Sequence, residues 1–96
     1  MLRHIVLFTL KPETTEAQVR DWIAAVEALP TPGLAAFTWG LDLGLREGNA
    51  SMACVFDFVD EPAYLAWFND RTHDHIRREM MQPLVAHAAR CQYHLD

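Results

Sequence analysis

Residues 2–10 read LRHIVLFTL, and Lys11-Pro12 closes them. Ile, Val, Leu and Phe follow one another without helical spacing, which is the pattern of a β-strand. Alternation sends His4, Val6, Phe8 and Leu10 to one face and Ile5, Leu7 and Thr9 to the other. Both faces are largely apolar, so both need cover. Whatever fold the rest of the chain builds must therefore supply two apolar layers against this one strand.

Downstream of the strand, Thr15-Glu16-Ala17-Gln18 has the form of a capping box. Val19, Trp22, Ile23, Val26 and Leu29 then recur at steps of three and four, one apolar stripe on a helix that Pro30, Pro32 and Gly33 end. Residues 35–43 alternate, with Phe37, Trp39, Leu41 and Leu43 on one face. The two glycines between 44 and 49 turn the chain into a second strand over 51–59, which predicts an antiparallel hairpin. Asp60-Glu61-Pro62 starts a short helix carrying Tyr64, Leu65, Trp67 and Phe68. Asn69 and Asp70 interrupt it, and Thr72 is read as the cap of another helix that Pro83 ends. Residues 87–95 form a weaker last strand, with Cys91, Tyr93 and Leu95 on one face.

Strand, helix, strand, strand, helix, strand is the α+β, ferredoxin-like βαββαβ order, with a four-stranded antiparallel sheet. Its helices cover one face of the sheet. The other apolar face of residues 2–10 is left for a partner, and a homodimer through the open sheet faces meets that need. At 96 residues the chain is read as a single domain, 1–96, with no repeat or linker.

Composition narrows the function classes. Hydrophobic residues make up 51% of the chain and mean hydropathy is −0.04, values of a globular domain. The longest apolar run, Ile5 to Phe8, is far too short for a membrane span, and no export leader precedes the first strand, so a cytoplasmic protein is expected. Net charge is −5 with a pI near 5.4, and the basic residues form no run beyond Arg77-Arg78, which argues against nucleic acid. Cys54 and Cys91 lie in separate apolar runs, as reduced thiols used for packing do.

The chemistry concentrates in residues 64–84, YLAWFNDRTHDHIRREMMQPL. At 100° per residue His73, Ile76 and Met80 share a side of the helix, with His75 opposite. His73 is thus expected to point inward, as a neutral ring able to take a proton α to a carbonyl. The other reading is a buried histidine bonded to a strand carbonyl. His4 is expected across the same space, either orienting a substrate carbonyl or holding a structural position. Val6, Phe8, Trp22, Ile23, Val26, Trp67, Phe68, Ile76, Met80 and Leu84 would line an apolar pocket, or else fill a plain core. Adjacent His73, Asp74 and His75 point apart on a helix and cannot close on one ion, so no metal is expected. Ser51 lacks a nucleophile-elbow setting, and no glycine-rich phosphate loop is present.

The segments RHIVLFTLKPETTEAQV at 3–19, VDEPAYLAWF at 59–68 and HDHIRREMMQPLV at 73–85 resemble the stress-responsive A/B barrel family, over nearly the whole chain. The resemblance implies a dimeric α+β barrel. One plant branch of the family, the polyketide cyclases of the olivetolic-acid type, closes a ring by aldol chemistry without cofactor. There a histidine corresponding to His73 works with an upstream tyrosine, and a first-strand histidine corresponds to His4. This chain has Trp67 at the tyrosine position, and of the family's His-Pro-Ala-His stretch Asp70-Arg71-Thr72-His73 keeps only the second histidine. Tyr64, three residues before Trp67, offers the nearest hydroxyl. The functions implied are a cofactor-free cyclase or isomerase using His73 as general base on a small hydrophobic carbonyl-bearing or aromatic molecule, or a non-catalytic stress-responsive binding or assembly module. A third is a cofactor-independent monooxygenase, because small antibiotic-biosynthesis monooxygenases share the architecture.

Overall fold

The computed structural model describes residues 1–95. Strand β1 is Leu2–Leu10, helix α1 Glu16–Ala28, strand β2 Leu34–Leu41, strand β3 Met52–Phe58 and helix α2 Glu61–Phe68. Helix α3, Arg71–Ile76, runs directly into a π-helical turn, Arg77–Met81, before strand β4, Val85–His94. The sheet has the order β2-β3-β1-β4 with every neighbour antiparallel. The element order and the antiparallel hairpin are those expected from the sequence.

Because β1 is central, its register sets both faces. His4 stands between Phe56 and Gln92, Val6 between Cys54 and Arg90, and Phe8 between Met52 and Ala88. These residues face the helices, where Val19, Trp22 and Ile23 of α1 and Trp67 of α2 are buried against them. Trp22 meets Phe8 edge-on at 5.0 Å between centroids. On the reverse face Ile5 stands between Val55 and Cys91, and Leu7 between Ala53 and Ala89. No element among the described residues covers that face, and Leu7 stays 44% exposed.

Several boundaries differ from the sequence reading, each for a local reason. The capping box of α1 forms as expected, Gln18 Oε1 accepting from the Thr15 amide at 2.8 Å. The cap of α3 is Asp70 and not Thr72, because the Asp70 carboxylate accepts from the His73 amide at 2.9 Å. Strand β2 ends at Leu41, leaving Leu43 in the connecting loop at 83% exposure. Strand β4 begins two residues early: the Leu84 carbonyl accepts from the Lys11 amide at 2.8 Å and the Thr14 hydroxyl at 2.9 Å, which docks the chain immediately after Pro83. Gly33, at φ 85°, brings the start of β2 hard against α2. A Cβ there would lie 2.5 Å from that of Ala63.

Candidate functional site

Between the helices and the sheet lies a cavity of about 360 Å³. Strand β1 contributes His4, Val6 and Phe8, helix α1 contributes Trp22, Ile23 and Val26, and β3 adds Cys54 and Phe56. The far wall is Tyr64, Trp67 and Phe68 of α2 with His73, Ile76, Arg77 and Met81 beyond, and Arg90 of β4 completes it. Phe68 is 54% exposed, so the α2 end of this wall reaches solvent.

Met80 and Leu84 are placed elsewhere, as a correction to the helical count. Within the π turn the Gln82 amide bonds the Arg77 carbonyl at 2.9 Å, five residues back. The wider turn takes one extra residue, so the inward position that an α-helix would give to Met80 falls to Met81. Met80 packs at the edge of the core, and Leu84 is buried within it without reaching the cavity.

The two histidines are held differently. His4 is 3% exposed, and the Gln92 side-chain amide lies 2.8 Å from its Nδ1. An amide nitrogen only donates, so Nδ1 accepts and the ring proton belongs on Nε2. Burial, then the positive charge of Arg90, then His73 push the His4 pKa down to about 4. His73 has its ring 4.0 Å from that of Trp67, and its Nδ1 is buried with no hydrogen-bond partner among the described residues. Burial, followed by Arg77, lowers its pKa, while Asp70, Asp74 and the Phe68 carbonyl oppose the shift. Both rings are therefore neutral near pH 7, and one ring nitrogen of His73 keeps its lone pair. His75 is exposed on the other side of the helix.

Trp67 separates the pair, with its ring centroid 5.5 Å from that of His4. One turn earlier, the Tyr64 ring lies 5.2 Å from that of His4. Burial raises the Tyr64 pKa, so the phenol stays protonated and can donate. Burial also pushes the Cys54 thiol up to about 12, which removes it as a nucleophile at neutral pH. The sequence reading missed Arg90, while the helical count puts Arg77 near the side of His73 and Ile76 without giving it a role. Arg90 follows from strand register alone, since the β1–β4 pairing opposes it to Val6 on the helix-facing side. No cluster of three His, Cys, Asp or Glu side chains suited to a metal occurs among the described residues. Likewise, no described helix is long and apolar enough to cross a membrane.

A ferredoxin-like sheet with one helix-covered face, one open apolar face and a cavity between layers defines the class of small dimeric α+β proteins. The chain belongs to the stress-responsive A/B barrel domain (Dabb) family, which it matches over residues 2–93. A dimeric ferredoxin-like protein of unknown function from Thermobifida fusca is 32% identical and superposes with a TM-score of 0.86, covering 98% of this chain and 90% of that one. A hydroxynitrile lyase from Passiflora edulis is 23% identical, TM-score 0.85, covering 99% and 93%. A Dabb family protein from Mesorhizobium loti is 19% identical, TM-score 0.78, covering 98% and 95%. No curated protein matches the sequence. The dimeric state of the Thermobifida protein supports a homodimer here.

Proposed function

We propose that this chain is a single-domain cytoplasmic protein. It dimerises through its open sheet faces and holds a small hydrophobic, carbonyl-bearing or aromatic molecule in the cavity, where His73 acts as a cofactor-free general base. The observation that carries this reading is the buried, unpartnered Nδ1 of His73 beside a cavity of about 360 Å³. A buried ring nitrogen without a partner costs free energy, about 1–3 kcal/mol, that a filled core would have no reason to retain. A ligand offering an acidic hydrogen supplies the donor. Removal of a proton α to a carbonyl then leads to aldol closure or isomerisation, with Tyr64 and the His4 Nε2 hydrogen available to the developing oxyanion. The same base suits removal of a hydroxyl proton, the first step in splitting a hydroxynitrile, which is the activity of the Passiflora relative.

A second reading, a binding module without turnover, is favoured by one observation: the Trp67 ring covers His73 at 4.0 Å and occupies the position of the cyclase tyrosine. Turnover separates the two. With a panel of small aryl ketones and hydroxynitriles, His73→Ala should lower the rate by about 10²-fold or more while the dimer keeps its mass. Equal rates in wild type and variant would remove His73 as the base. Binding without turnover in both would favour the module.

A further inference from the structure

Arg90 stands out among the polar groups of the cavity. It projects from the edge strand β4 on the helix-facing side, opposite Val6, and lines the cavity. Arg77, the other guanidinium in the wall, is engaged by the Asp74 carboxylate at 2.7 Å. Arg90 makes no ion pair among the described residues, and no acidic side chain lines the cavity. Arg90 is exposed, so the cavity opens to solvent past one cationic side chain that no carboxylate of the described residues engages.

We infer that Arg90 selects a ligand carrying a carboxylate on an aromatic or aliphatic body, the carboxylate held at the β4 side and the body against Trp22, Phe8 and Phe56. This deepens the proposed function and rests on its cavity reading. A single planar guanidinium matches a carboxylate through two parallel hydrogen bonds, whereas a phosphate site is ordinarily built from several donors, such as a helix N-terminus or an amide nest, which this wall lacks. Tyr64 and His4, their rings 5.2 Å apart, line the same cavity as Arg90, so a phenol donor shares the chamber with the guanidinium. The volume sits at the low end for small-molecule sites, which suits one ring with a short acidic chain.

The test is calorimetric binding of 3-phenylpropanoate and its neutral counterpart 3-phenylpropanamide to the wild-type dimer, at two salt concentrations. The carboxylate is expected to bind about tenfold more tightly than the amide, the scale of one charge-assisted hydrogen-bond pair. Arg90→Gln should bring that ratio to about one, Arg90→Lys should retain part of it, and Arg46→Gln, in the β2–β3 loop, should leave it intact. Amide binding with no carboxylate preference in wild type overturns the inference and leaves the cavity reading standing. So does a preference that survives Arg90→Gln. Failure of both compounds to bind overturns the cavity reading and the inference together.

Discussion

Among the described residues His4 is the one buried polar side chain, 3% exposed among aromatic rings, and its burial has a pH signature. The unfolded imidazole takes up a proton near 6.5, but the folded one resists until about 4. The neutral form is the one the fold favours. Its contribution is therefore fully present above pH 6.5 and lost as pH falls from 6.5 towards 4, by about 3 kcal/mol. His73, shifted the same way, adds to the loss. Urea midpoints at pH 7 and 4.5 should fall steeply in wild type and less steeply in His4→Gln; parallel slopes would contradict this account of His4. At this scale the two histidines were legible because alternation and helical spacing fix their sides. Arg90 was not, because register between β1 and β4 brings it to the cavity and leaves no mark on local sequence, and Tyr64 was legible only as the nearest hydroxyl, its place beside His4 being set by the rotation of α2.

Among the elements, the π turn has the largest consequence for the site. By admitting one residue beyond the α-helical count it turns Met81 into the cavity and Met80 to the margin. Met81→Ala should cost about 2 kcal/mol and loosen ligand binding, while Met80→Ala should cost under about 1 kcal/mol and leave binding unchanged. Chemical denaturation with ligand titration checks both, and equal effects would mean that the inward position is misassigned. Capping boxes, proline stops and hydrophobic periodicity made the other elements readable to within two residues. No residue type announces a π turn, and Asp70 captured the helix start from Thr72 by being one carboxylate better placed for the His73 amide. Element existence was thus written locally, while the last side-chain orientations were settled by how the chain re-entered the sheet.

For the whole molecule, the doubly apolar β1 that dictated a two-layer fold also leaves Ile5, Leu7, Val55 and Cys91 on an open face, with Tyr93 43% exposed at its margin. The Arg3–Asp57 pair, bonded at 2.8 and 2.9 Å, adds a polar anchor on the same face. With these faces meeting across a two-fold axis, Leu7→Glu places two carboxylates, one from each protomer, in an apolar interface and should yield monomers at micromolar concentration. An unchanged dimer mass by light scattering would put the interface elsewhere. The dimer was legible because one strand cannot hide two apolar faces within a chain of this size, whereas the ligand was not, because a pocket wall and a packed core use the same residues. The central claim, that the dimer carries a working base at His73, is tested most directly by deuterium uptake α to the carbonyl of a small aryl ketone in D2O, followed by proton NMR. The account predicts enzyme-dependent uptake that His73→Ala abolishes in a dimer of verified mass; uptake of equal rate in both proteins would contradict it.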